Sequence, residues 1–470
     1  MIFNSPEFLV FFAVVYGLYL CLPRPSLQNL LLLAASYVFY GWAAPKYLWL
    51  LIFYTALTYA AGIGMDRSAG ARSRKAFLLF GLAVNLGVLG YFKYFGFFAG
   101  EATRALAALG FTVHPVTLQI FLPIGVSFFT FQSIAYLVDV YRGKARAVRD
   151  IVAFAVFKAF FPQLVAGPIE RAQHMMPQIE RPRRITAEDL LQGLFWILLG
   201  FFLKSVIADR VASYADYHFT VLDGPYRGPL ATFTAAWAFG LQIYGDFAGY
   251  STIALGTARL MGFRLERNFL GPYLASNIQE FWRCWHVTLS SWLRDYLYVP
   301  LGGSRRGTVR TYANLIATMG LGGLWHGASW NFVLWGLYHG CGLAIHRAAA
   351  PRLAGLPEAL RRVGGWAATL VFVTFGWVLF RVASLAEFSD FMRRMLTPGP
   401  ITARDLQAAF VVAAFFAIVL LVQWAEERQA EGARLVHRLQ WPSRLGLMTA
   451  LAVSVFAVGF SDHRFIYFQF

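Results

Sequence analysis

The sequence predicts an all-α membrane protein that crosses the bilayer about eleven times or more. Of its 470 residues, 58% are hydrophobic and only 14% are charged, and the mean hydropathy is +0.54. The apolar residues come in runs close to the roughly 20 residues that one spanning helix needs. Such a chain has too little polar surface to cover a water-soluble globule. We therefore expect one membrane domain over residues 1–470, without a separate soluble domain.

Eleven segments are apolar and long enough to be predicted as spans. Their approximate bounds are 6–22, 27–43, 47–64, 76–98, 117–139, 189–208, 230–262, 312–346, 366–381, 407–424 and 445–460. The segments 230–262 and 312–346 are long enough to be broken or doubled. The first run has no basic residue before it and no small-residue cleavage site after it, which indicates a retained span rather than a cleaved signal peptide.

The formal net charge of +17 has a membrane explanation. Basic residues lie in short loops between spans, as the positive-inside rule and contact with anionic lipid headgroups require. The basic loops 66–75 and 142–149 are predicted to be cytoplasmic, which places the N-terminus outside. Because basic loops flank the apolar segment 150–180 on both sides, we expect it to enter and leave the membrane on one side. Membrane lipid, not nucleic acid, is the expected partner of the positive charge.

Tryptophan and arginine become frequent between about 264 and 311, where the hydropathy falls. On one continuous helix, Trp282, His286, Leu289 and Leu293 would share a stripe. This pattern predicts an amphipathic helix at the membrane interface or lining a wet cavity.

Two of the nine histidines are candidates for chemistry. His326 lies in the apolar stretch GLGGLWHGASWNF, where a hydrogen-bonded packing role and a functional role are equally open. His286, among tryptophans, is on pattern alone more typical of an interfacial histidine. His339 would lie about 220° round a continuous helix from His326, which favours packing. The others are predicted in loops or, for His346, as an interfacial anchor: His114, His174, His218, His437 and His463.

Asp246 interrupts a predicted span in the stretch LQIYGDFAGYST, beside Tyr244. A carboxylate there must be paired, protonated or solvated. It could orient a histidine or bind a polar substrate, but pairing with an arginine such as Arg283 or Arg294 is slightly favoured.

Several common types of site have no signature in the chain. There is no HExxH motif, carboxylate cluster or CxxC pair for a metal, no GxSxG turn and no glycine-rich loop ending in GK[ST]. We expect neither a metal nor a tightly bound cofactor.

Two long motifs resemble the membrane-bound O-acyltransferase family. They are FWRCWHVTLSSWLRDYLYVPLGG at 281–303 and GLGGLWHGASWNFVLWGLYHG at 320–340. Supporting stretches are FFPQLVAGPIERAQHMMPQI at 160–179, KSVIADR at 204–210, LQIYGDFAGYSTIALG at 241–256 and FIYFQF at 465–470. The resemblance covers nearly the whole chain, and its two histidine motifs are its specific part.

The resemblance implies helices around a central funnel or tunnel, with an essential histidine at His326 and a second functional position at His286. His326 would be the general base, and His286 would orient a reactant or stabilise an oxyanion. The other residues expected to line or support the passage are Trp282, Trp285, Trp325, Arg283, Arg294, Tyr244 and Asp246.

The expected reaction moves acetyl groups from a cytoplasmic donor, acetyl-CoA or another acetyl donor, toward hydroxyls of an exported polysaccharide such as alginate. The expected location is a bacterial inner membrane, and the expected partners are an extracytoplasmic acetyltransferase protein and the polysaccharide acceptor. Two alternatives stay open: D-alanyl transfer to teichoic acid, and a non-enzymatic transporter of acyl groups.

Overall fold

The computed structural model of the chain describes residues 1, 3–112, 121–220, 228–430 and 441–459. All regular elements in these ranges are helical, which confirms the predicted all-α class. The helices are α1 Pro6–Cys21, α2 Pro25–Ala43, α3 Leu48–Arg67, α4 Ala71–Leu89, α5 Phe95–Ala108, α6 Val126–Tyr141, α7 Ile151–Ala159, α8 Phe161–Leu164, α9 Ala172–Glu180, α10 Ala187–Phe201, α11 Asp209–Thr220, α12 Pro229–Leu260, α13 Ile278–Cys284, α14 Val287–Leu293, α15 Thr308–His326, α16 Trp330–Leu353, α17 Glu358–Arg381, α18 Leu385–Leu396, α19 Ala403–Ala430 and α20 Trp441–Val458.

Some predicted features fall outside the described residues. These are His114, His437, His463, the motif at 465–470, the start of the predicted span 117–139 and the last residue of the span 445–460.

Long apolar helices occupy the predicted spans. Within the described ranges, five helical stretches are long and apolar enough to cross a membrane: Pro45–Arg67, Ala71–Ala108, Ala187–Thr220, Glu358–Arg381 and Ala403–Glu426. Shorter apolar helices are Pro6–Cys21, Val126–Tyr141 and Pro442–Val458. Of the two unusually long predicted spans, 230–262 forms the single helix α12, whereas 312–346 is broken between α15 and α16. The predicted central funnel or tunnel stays a prediction.

The chain divides into two compact units, and the first comprises residues 1–194 and 254–266. In this unit α6 packs closely on α3 and α4, because both helices present glycine to it. A β-carbon on Gly62 would lie 2.7 Å from the hydroxyl oxygen of Tyr136, and one on Gly81 would lie 2.7 Å from Leu137. The same Tyr136 oxygen accepts a hydrogen bond of 3.0 Å from the amide of Val148. This bond fixes the chain that follows α6.

The segment 150–180 of the first unit is divided into short helices. The helices α7, α8 and α9 have 9, 4 and 9 residues. Asp150 caps α7 by accepting a hydrogen bond of 2.8 Å from the amide of Val152, and α7 ends at Ala159, three residues before Pro162. At a rise of 1.5 Å per residue, none of the three could cross a bilayer alone. The predicted entry and exit on one side of the membrane stays a prediction.

The second unit comprises residues 195–253 and 267–470, and it holds the predicted site residues. Its helices α15 and α16 form a close hairpin. A β-carbon on Gly323 would collide with the carbonyl oxygen of Phe332, and one on Gly336 would collide with the carbonyl oxygen of Met319. Glycine at both positions therefore lets the two backbones touch. The hairpin places His326, at the end of α15, against the first turns of α16.

Candidate active site

His326 ends α15 among three aromatic rings. The centre of its imidazole lies 4.9 Å from that of the Trp325 ring, 5.1 Å from Trp335 and 5.4 Å from Phe380, each in an edge-to-face arrangement. Its side chain is buried, but 8% of the surface of the residue stays accessible. The imidazole is therefore held by apolar rings, in a residue that keeps some accessible surface.

His286 lies at a sharp break between α13 and α14. With φ of 43°, it is the single non-glycine residue of the described ranges that has a left-handed backbone. The continuous amphipathic helix predicted through Trp282, His286 and Leu293 is therefore wrong. The break is stabilised by a neighbouring segment, because the amide of Val287 donates to the carbonyl of Asn268 over 2.9 Å and that of Leu270 donates to Cys284 over 3.0 Å. A backbone strained in this way is typical of functional sites.

The side chain of Asn268 holds this break together. Its Oδ1 accepts a hydrogen bond of 2.6 Å from Thr288 Oγ1 and one of 3.3 Å from His286 Nδ1. Its Nδ2 donates to Ser251 Oγ over 2.9 Å. Asn268 therefore sets the orientation of the His286 imidazole, which is fully buried.

Trp325 connects the two predicted functional histidines. The centre of its indole ring lies 6.1 Å from His286 and 4.9 Å from His326. The structure thus brings both histidines to one indole, although they are far apart in the sequence.

His339 lies closer to His326 than a continuous helix would allow. Because the hairpin turns at 327–329, the predicted angular separation does not apply. The Trp335 ring contacts His326 at 5.1 Å and His339 at 4.8 Å, and Trp282 contacts His339 at 5.1 Å. We name the whole set the histidine cluster: His286, Trp325, His326, Trp335, His339 and Trp282.

Asp246 pairs with a lysine, so the predicted pairing with Arg283 or Arg294 is wrong. Lys204 Nζ lies 2.6 Å from Asp246 Oδ1 and 2.6 Å from Asp209 Oδ1. We name these three buried residues the ion cluster. Arg294 instead pairs with its neighbour Asp295 over 2.8 Å at an exposed position.

The remaining predicted residues fall into a buried and an exposed group. Trp285 lies with its ring centre 4.7 Å from Trp377 and 6.4 Å from Tyr244, in a buried aromatic layer. Arg283 and Arg294 are exposed. The predicted loop histidines His174 and His218 lie in α9 and α11 instead.

Sequence reasoning gave no site role to Lys204, Asn268, Trp335 or His339. A lysine inside the predicted span 189–208 could have been recognised from the rarity of such groups in membranes. The roles of Asn268 and Trp335 had no local signal. Among the described residues, no group of three or more histidine, cysteine, aspartate or glutamate side chains could hold a metal ion.

The fold and the histidine cluster together define a multi-pass membrane protein with a buried, histidine-containing site. Residues 145–389 match the sequence model of MBOAT, the membrane-bound O-acyltransferase family. The chain belongs to this family, and it is an acyltransferase.

Curated relatives match most of the chain. The chain is 42% identical to the "Probable alginate O-acetylase AlgI" of Azotobacter vinelandii, over 90% of this chain and 83% of the relative. It is 34% identical to the peptidoglycan O-acetyltransferase of Helicobacter pylori, over 84% and 80% of the two chains. It is 28% identical to the teichoic acid D-alanyltransferase of Streptococcus thermophilus, over 57% and 68%.

Proposed function

We propose that the protein transfers acetyl groups from acetyl-CoA toward hydroxyls of an exported polysaccharide such as alginate, with His326 as the general base. One observation carries the assignment of the base. Of the three histidines in the cluster, His326 keeps 8% of its surface accessible, whereas His286 and His339 keep none. A general base must reach the proton that it removes, so His326 is the histidine best placed to meet a substrate.

The proposed step is a direct acyl transfer. The acceptor oxygen attacks the thioester carbonyl carbon, a C–O bond forms and the C–S bond breaks. The neutral imidazole of His326 takes the hydroxyl proton and passes it to the departing thiolate, which leaves as a thiol. His286, fixed by Asn268 and in contact with Trp325, acts as a positioning residue for the indole that lies against His326. The same step would operate if a partner protein, rather than the polysaccharide, were the first acceptor of the acetyl group.

Acetyl transfer is favoured over D-alanyl transfer by the extent of the likeness. The two O-acetylating relatives match more than four fifths of the chain, whereas the D-alanylating one matches little more than half. We place the donor on the cytoplasmic side of a bacterial inner membrane, because the basic loops follow the positive-inside rule, with the N-terminus outside. An extracytoplasmic acetyltransferase partner would then receive the acetyl group or present the polymer.

Transfer by the purified protein in lipid vesicles tests this function. Acetyl-CoA labelled in its acetyl group is placed inside vesicles in which the cytoplasmic loops of the protein face the lumen. Alginate oligosaccharide is added outside the vesicles, with and without the periplasmic fraction of the source cells. We expect labelled ester on the outer polymer and free CoA inside. Transfer that requires a D-alanyl carrier protein and ignores acetyl-CoA would establish the alternative instead.

A further inference from the structure

His339 is a buried histidine without a hydrogen-bond partner in the described part of the chain. None of its surface is exposed, and neither Nδ1 nor Nε2 has a partner among the described residues. The indole Nε1 atoms of Trp282 and Trp335 are also buried without a partner in the described part of the chain. Four polar atoms in this small volume therefore have unused hydrogen-bonding capacity.

These atoms belong to side chains in mutual contact. The ring centres of Trp282 and Trp335 are 5.7 Å apart, and those rings lie 5.1 Å and 4.8 Å from His339. The Trp335 ring also contacts His326 at 5.1 Å. Trp335, which carries one of the unused polar atoms, therefore contacts both His339 and the proposed base. We name Trp282, Trp335 and His339 the indole recess.

A histidine is a poor choice for packing at this position. A buried polar group without a partner destabilises a fold, whereas a phenylalanine of similar shape would satisfy the surrounding rings. The position is also tight, because a β-carbon on Gly376 of α17 would lie 2.8 Å from His339 Nε2. Glycine at 376 thus lets α17 pack closely against the imidazole. Residues that break a packing rule in this way are expected where function requires them.

The chemistry of the recess fits an uncharged oxygen that accepts hydrogen bonds. An indole N–H can only donate, and a neutral imidazole offers one further donor. A carbonyl oxygen has two lone pairs that could accept two of these bonds. The rings in contact with His339 bring no ionised group to it; they are Phe281, Trp282, Trp335, Tyr338 and Phe372.

We propose that the indole recess binds the carbonyl oxygen of the acyl thioester, and that His339 is a third functional histidine of the enzyme. The inference rests on the proposed function, since it assumes a thioester donor beside His326. As the acceptor attacks, negative charge develops on that oxygen, and donors already aimed at it stabilise the transition state. Water bound in the recess is the competing occupant, and it would leave catalysis unaffected by His339.

The decisive variant is His339→Phe, compared with the wild-type chain in lipid nanodiscs. Two quantities are measured with whichever acyl donor the wild-type chain uses: the midpoint of thermal unfolding, and kcat and KM for that donor. We expect an unchanged or raised midpoint together with a fall in kcat/KM of about 10²-fold, the effect of losing one preorganised donor. An unchanged kcat/KM in the folded variant would overturn the inference.

Tyr338→Phe is the matched control on the same helix. The hydroxyl of Tyr338 already donates to the carbonyl of Phe372 over 2.9 Å, so its removal should lower the unfolding midpoint slightly and leave kcat/KM unchanged. The test variant should therefore lose kcat/KM without losing stability, and the control should lose stability without losing kcat/KM.

Trp335→Phe and Trp282→Phe keep an aromatic ring and remove the indole donor together with part of the ring volume, so they test the recess if His339→Phe does not fold. At least one of them should lower kcat/KM by about tenfold, the worth of one hydrogen bond, and full activity in both would overturn the inference. The proposed function fails separately, if the wild-type chain itself does not use acetyl-CoA.

Discussion

The ion cluster and the histidine cluster are both buried polar groups in the second unit, and they differ in how far their polar atoms are used. In the ion cluster, Lys204 lies within 2.6 Å of a carboxylate oxygen of both Asp209 and Asp246. In the histidine cluster, His339 and two indoles have no described partner, and His326 keeps accessible surface. Burial alone therefore does not indicate chemistry. A paired cluster holds helices together, whereas an incompletely paired one is ready to bind a substrate.

The largest expected effect is on catalysis, at His326. Replacing His326 by alanine should lower kcat by about 10²–10⁴-fold, the usual contribution of a general base, while membrane insertion and the yield of folded protein stay normal. His346→Ala is the control, since this histidine is half-buried in α16 on the same hairpin. If the His326→Ala variant transfers acetyl groups at the wild-type rate, the histidine cluster has no catalytic role that distinguishes it from the ion cluster.

The ion cluster should govern stability instead. Lys204→Met removes the cation that contacts both buried carboxylates, which costs about 3–5 kcal/mol of unfolding free energy. Denaturation of the purified protein measures this loss, and kcat per folded molecule should remain near the wild-type value. Adding Asp209→Asn and Asp246→Asn should recover much of the stability. If the triple variant stays unstable, the charges do not explain the role of the cluster.

The smallest expected effect separates the backbone from the side chain at His286. His286→Val should be about 1–2 kcal/mol less stable than His286→Gly, because only glycine adopts the left-handed conformation without cost. Both variants lose the imidazole, so both should lose activity to a similar extent. Equal unfolding free energies would show that the backbone at this position relaxes without strain.

The sequence predicts well what depends on local pattern. The predicted spans fall on helices because an apolar run and a helical backbone satisfy the same local requirement in lipid. The two histidine motifs also identified residues that the structure brings to Trp325.

Features that depend on distant contacts were not predictable in this way. The break at His286 depends on backbone hydrogen bonds to Asn268 and Leu270. These residues lie too far along the chain for helical periodicity to indicate the contact. The partner of Asp246 is 42 residues away. Trp335 and His339 lie one turn apart on α16, but Trp335 reaches His326 only because the helix predicted over 312–346 turns back on itself.

The central claim is that the side chain at position 326 can be reached by reactants, while position 286, a positioning residue, is closed to them. It is tested by His326→Cys and His286→Cys variants in a background that lacks Cys21, Cys284 and Cys341, probed with a small thiol reagent in native membranes. The account predicts that the His326→Cys variant reacts, that acetyl-CoA slows this reaction, and that the His286→Cys variant reacts only after denaturation. A His326→Cys variant that stays unmodified until the protein is unfolded would contradict it.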